Sequence, residues 1–150
     1  MSRSARRTLR VPIFVHASPK KVFKWVSDPD RLTRWLSDRA TLSGRKGGRY
    51  SLGWDGGPTH TGKLLQFERG RALALTWQWP GQESLGTTRL KIAIEPKGDG
   101  TIVRFVHSGF RSGGEWTELY EGAIRGWTYF LMNLKSVLES GCDLRSPDDW

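Results

Sequence analysis

The residues best suited to hold or act on a small molecule are one histidine and a set of aromatic rings. His107 falls on the same strand face as Val103 and Phe105, because residues two apart along a strand share a side. An imidazole on an otherwise apolar inner face can orient a ligand or shuttle a proton. It equally fits a structural histidine held by hydrogen bonds. Trp77 and Trp79 share a face of another strand, and Trp127 falls on the apolar stripe of a C-terminal helix. With Tyr50, Trp54, Phe105, His107 and Leu131, Trp77 and Trp127 form one candidate ligand-binding set. Large aromatic faces suit flat or apolar ligands, and indole N–H groups supply donors. The competing reading of any single ring is that it fills the core.

Other chemistries find no support. The three histidines and single cysteine lack metal-ligand spacing. Ser108 adjoins His107, but strand neighbours point to opposite faces, which argues against a nucleophilic pair. Gly44 to Gly48 lacks the spacing and helix start of a phosphate loop. Asp28, Glu68, Asp99, Glu115 and Glu118 fall at turns and caps and form no inward acid–base pair. No catalytic residue is assigned, His107 being the one candidate, and no cofactor or metal is implied.

The elements that must position these residues are legible from periodicity. Leu9, Val11, Ile13 and Val15 alternate as a strand does. Ser18-Pro19 is a helix start, with Val22, Phe23, Trp25 and Val26 on the buried side. Asp28-Pro29 starts a second short helix, with Leu32, Trp35 and Leu36. Period two then returns: Tyr50, Leu52 and Trp54; Gly62 to Glu68; Leu73, Leu75, Trp77 and Trp79; Leu90, Ile92 and Ile94; Val103, Phe105 and His107. Gly56-Gly57-Pro58, Pro80-Gly81 and Lys97-Gly98-Asp99-Gly100 separate these runs. Short connections predict an antiparallel meander. His60 is expected in a loop and His16 at a strand end. From Glu115 to Glu139 there is no proline. Trp116, Tyr120, Ala123, Trp127, Leu131, Leu134 and Leu138 there make one helical stripe, stopped by Ser140-Gly141. Such a helix is roughly 40 Å long, enough to cross the sheet.

The 150 residues suit one domain. The reading is a basic, disordered tail over 1–8, a single domain over 9–145 and a C-terminal tail over 146–150. The formal net charge is +9. Arg3, Arg6, Arg7 and Arg10 crowd the start, Lys20, Lys21 and Lys24 lie on the first helix, and Arg45, Lys46 and Arg49 flank a Gly-Gly turn. Without a nucleic-acid motif the charge reads as a solvated surface, so no specific nucleic acid is expected. No apolar run suits a signal peptide or membrane insertion, and one cysteine permits no internal disulfide. A cytoplasmic location is expected.

In order and spacing these elements resemble the START-like, helix-grip (SRPBCC) superfamily, which includes polyketide cyclases and the plant Bet v allergens. Within it the chain is most similar to the C-terminal domain of the activator of the ninety-kilodalton heat-shock chaperone's ATPase. The likeness rests on Ala17-Ser18-Pro19 with Val22-Phe23, Asp28-Pro29 with Leu32 and Trp35, Gly47-Gly48 with Tyr50, and Gly62. It continues through Leu75-Thr76-Trp77, Gly100-Thr101 with Val103, His107-Ser108-Gly109, and Gly126-Trp127 with Leu131, Leu134 and Leu138. The resemblance implies an α+β helix-grip fold: a curved antiparallel sheet wrapped around one long C-terminal helix, with two short helices after the first strand. It also implies an internal cavity. The expected function is non-catalytic binding of a small hydrophobic or aromatic molecule. The alternatives are a cyclase- or hydratase-like enzyme using His107, and a co-chaperone-like interaction module. The chain is too short to carry the separate N-terminal domain of the chaperone activators, so a chaperone contact has no independent support.

Overall fold

A computed structural model describes residues 6–145 of the chain. Its elements are β1 (Arg7–Val15), α1 (Pro19–Ser27), α2 (Pro29–Leu32), β2 (Arg39–Leu42), β3 (Arg49–Gly53), β4 (Thr59–Glu68), β5 (Ala72–Trp77), a 3-10 turn (Glu83–Leu85), β6 (Thr88–Lys97), β7 (Gly100–Phe110) and α3 (Glu115–Ser140). The strands form one antiparallel seven-stranded sheet in the order β1-β7-β6-β5-β4-β3-β2. β2 to β7 run as the predicted meander. β1 instead joins β7, with Val11 opposite Phe105 and Leu9 opposite His107. The chain then crosses through α1 and α2 to the far edge of the sheet.

Local chemistry explains the ends of the elements. The Ser18 hydroxyl accepts the Lys21 N–H at 3.2 Å, capping α1, and Pro19 follows at the first helical position. α3 stops at Gly141, whose φ of 73° costs a residue without a Cβ nothing. Gly62 serves close packing: a Cβ there would meet Thr76 Oγ1 at 2.4 Å and Tyr50 Cε1 at 2.7 Å. Tyr50 therefore depends on it.

The concave face of the sheet and the inner faces of α1, α2 and α3 share one core. It holds Val15, Val22, Trp35, Leu64, Leu73, Val103, Phe105, Leu131 and Leu134. Asn133, fully buried on α3, donates to the Trp35 carbonyl at 2.9 Å and accepts the Leu144 N–H at 2.6 Å. That one amide fixes α3 against the end of the α1–α2 segment and the chain after the helix. Arg145 adds bonds to the carbonyls of Thr33 and Ser37.

Four details differ from the sequence reading. β3 ends at Gly53 and β5 at Trp77, so Trp54 and Trp79, expected on strand faces, lie just past their strands. β2 lacks a predicted counterpart, being four residues with half-buried Ala40 and Leu42 alone carrying the pattern. β4 begins at Thr59 rather than Gly62, so His60 lies in a strand. Arg7 and Thr8, counted above with the basic tail, pair with β7, opposite Phe110 and Ser108. Residues 1–5 and the tail over 146–150 lie outside the described residues.

Candidate functional site

Two voids adjoin the sheet–helix interface, divided by one pair of rings. Trp77 on β5 and Trp127 on α3 meet edge to face, centroids 5.1 Å apart. Inside them, a void of about 40 Å³ is lined by Tyr50, Leu75, Phe105, Leu131 and other apolar side chains. That space is far smaller than an organic ligand site and apolar enough to stay dry. Outside them lies an open groove of about 340 Å³, within the range of small-molecule sites. The expected single internal cavity is thus largely filled by its own rings, and the usable volume lies on the outer side of the tryptophan pair.

Trp54, Pro58, His60, Trp77 and Trp79 line the groove from the sheet side. Glu118, Leu119, Gly122, Ala123, Gly126, Trp127 and Phe130 line it from α3. Trp54 reaches across to Phe130 at 6.1 Å, and Trp79 to Trp116 at 6.1 Å, closing the two flanks. Gly122 and Gly126 lie one helical turn apart, and a Cβ added at either meets nothing within 4 Å. The width of the groove follows from these absent side chains.

The predicted ligand-binding residues are therefore divided. Trp54, Trp77 and Trp127 line the groove; Tyr50, Phe105 and Leu131, with Trp77 and Trp127, line the inner void. His107 lines neither. It is fully buried in a cage of Phe110 (4.3 Å), Trp79 (5.9 Å, stacked), Trp77 and Trp127 (both 6.5 Å). The Thr88 hydroxyl donates to the Trp77 carbonyl at 2.8 Å, so it accepts the His107 Nε2–H at 2.7 Å. This network assigns the proton to Nε2 and leaves Nδ1 bare and without a partner. Burial pushes the imidazole down to about 3, so it is neutral. A sealed, neutral ring of this kind organises the core and does not touch either void.

The polar groups of the rings also have local partners. The Tyr50 hydroxyl donates to the Thr76 carbonyl at 2.6 Å, and burial raises its pKa. The Trp54 indole donates to the Leu36 carbonyl at 3.0 Å. Among the described residues the indoles of Trp77 and Trp127 have no acceptor.

His60 was missed by the sequence reading. It stacks on Trp77 at 4.2 Å and meets the edge of Trp54 at 5.7 Å. Nδ1 lies 3.0 Å from the Gln78 carbonyl and so carries the proton, leaving Nε2 as the acceptor of the ring. Burial lowers its pKa, with the Gln78 hydrogen bond acting the other way. A signal existed: His60, Gly62 and Leu64 alternate. Without apolar neighbours, Thr59-His60-Thr61 does not read as strand. Among the described residues no group of three or more histidines, cysteines or carboxylates could hold a metal. No described helix is long and apolar enough to cross a membrane.

A curved antiparallel sheet gripping one long helix, with a groove at the helix–sheet seam, defines a helix-grip protein. Residues 16–139 match the family described as Activator of Hsp90 ATPase homolog 1-like protein, and the chain belongs to that family. Among solved structures it is similar to protein MLL2253 from Mesorhizobium loti (TM-score 0.80, 24% identity, covering 89% of this chain and 97% of that one). It is also similar to Aha1 from Colwellia psychrerythraea, solved as a dimer (0.78, 23%, 90% and 98%). A third is PFC0360w, an HSP90 activator from Plasmodium falciparum (0.73, 18%, 87% and 95%). At these identities the likeness is one of fold. No curated protein matches the sequence.

Proposed function

We propose that the chain binds a small, mainly apolar aromatic molecule in the open groove between α3 and the sheet edge formed by the start of β4 and the end of β5, without acting on it chemically, in the cytoplasm. The observation that carries this reading is the groove itself. It has ligand-sized volume, aromatic walls on both sides, and a helix face cut back to Gly122, Ala123 and Gly126. His60 Nε2 adds one acceptor for a hydroxyl or N–H on the ligand. Calorimetric titration with 2-naphthol tests it. Saturable binding is expected, weakened about tenfold in Trp79→Ala, which removes one wall. Absence of saturable heat with 2-naphthol and other bicyclic arenes contradicts it.

A second reading, a chaperone-binding module, draws on the family description and on the Plasmodium falciparum neighbour described as an HSP90 activator. Stimulation of a ninety-kilodalton heat-shock chaperone's ATPase by the purified chain would favour it. An unchanged ATPase rate would count against it.

A further inference from the structure

A second concavity, of about 530 Å³, opens between α1 and the β4–β5 turn, away from the groove. Lys20, Phe23, Lys24 and Ser27 line it at the three- and four-residue spacing of one helix face, and Phe67 and Arg69 close it from the sheet. Its floor is apolar. Phe23 is buried and meets Phe67 edge-on at 5.6 Å. A register slip between Leu64 and Gln66 places Phe67 there: it inverts the alternation of β4, turns Phe67 to the concave side and leaves Leu65 exposed. Gly44 leaves room for the ring, since a Cβ would sit 3.3 Å from Phe67 Cζ.

The rim is cationic in a way the fold does not require. Lys20, Lys24 and Arg69 make no ion pair among the described residues, and Asp28 is the one carboxylate lining the cleft. Lys20 and Lys24 are like charges four residues apart on a helix, a repulsive spacing. Lys20 and Lys21 also stand in the first turn of α1, where no acidic residue offsets them and the helix dipole disfavours cations. Lys24, in the last turn, is favoured by the dipole, so two local preferences are broken at the cleft, the Lys20–Lys24 repulsion and the dipole position of Lys20, both beside an aromatic floor; such a coincidence marks functional sites. An anion seated between Lys20 and Lys24 relieves both.

We propose that this cleft binds a small amphiphilic organic anion. Its apolar body lies on Phe23 and Phe67, and its carboxylate, sulfonate or phosphate group sits among Lys20, Lys24 and Arg69, the guanidinium offering paired donors to the oxyanion. The site is separate from the groove and does not depend on the function proposed for it.

The test is calorimetric titration of the whole chain with naphthalene-2-sulfonate, using uncharged naphthalene-2-sulfonamide as comparator. Saturable binding of the sulfonate is expected, weakened about tenfold in Lys24→Gln/Arg69→Gln and similarly by raising salt from about 50 to about 500 mM. Both substituted side chains are exposed, so the melting temperature should not change. Gly126→Leu, which fills the groove, should leave sulfonate binding intact. Equal affinity for the sulfonamide, or wild-type affinity in the double variant, overturns the proposal. So does loss of sulfonate binding in Gly126→Leu, which would move the anion to the groove. Binding to phosphatidylserine vesicles with none to the free sulfonate also overturns it, assigning the cations to a membrane surface.

Discussion

His107 and His60 both stack among tryptophans, but the two imidazoles differ in what their free nitrogen meets. His107 Nδ1 is enclosed and without a partner, whereas His60 belongs to the lining of the groove. The enclosed ring ties stability to pH. Its folded pKa, about 3, is below the ordinary 6.5, so between those values the unfolded chain binds the proton that the folded chain refuses. Stability is therefore full above pH 6.5 and falls as pH drops toward 3, by up to about 1.4 kcal/mol per unit. His60, shifted in the same direction, adds to the loss just below 6.5. Denaturant unfolding at pH 7, 6, 5 and 4 should show this slope, and His107→Phe should flatten it. An unchanged slope in that variant would place the titration elsewhere. The inward register of His107 was readable from period two alone. Its Thr88 partner was not, because that contact depends on how β6 and β7 align.

At the scale of elements, α3 carries both the core stripe and the groove wall. The stripe of Trp116, Tyr120, Ala123, Trp127, Leu131, Leu134 and Leu138 was legible at helical spacing; Trp116, Trp127, Leu131 and Leu134 are buried, and Tyr120, Ala123 and Leu138 are half-buried. The groove wall was not legible, because a glycine inside a helix gives no hydrophobic signal. Its meaning appears once the space opposite is known to be empty. Glycine in a helix interior costs about 0.5–1 kcal/mol relative to alanine. Gly122→Ala and Gly126→Ala should each therefore stabilise the fold by that amount, read as a rise in denaturant midpoint. Gly126→Leu should fold normally and lose 2-naphthol binding. Destabilisation by Gly126→Ala would show that the position is sterically crowded.

For the whole molecule, the sheet order places the first strand beside the last, and α3 lies across the concave face. The meander and the long helix followed from turn residues and periodicity. The β1–β7 pairing did not, since nothing in either strand states its distant partner. Without α3 the concave face loses its cover. Trp127, Leu131 and Leu134 alone represent about 1.5–3 kcal/mol each of apolar burial, against a total stability of about 5–15 kcal/mol for a typical domain. A chain ended before Trp116 should show no cooperative thermal transition; a monomer that melts cooperatively would contradict this packing. Ligand binding at the seam between sheet and helix is tested most directly by a chemical-shift map of the ¹⁵N-labelled chain titrated with 2-naphthol. The amides of Gly122, Ala123 and Gly126, together with His60 and the Trp79 indole, should move together and saturate. Shifts confined to Tyr50, Phe105 and Leu131 around the inner void, or to Phe23 and Phe67 in the α1 cleft, or no saturable shift at all, would contradict it.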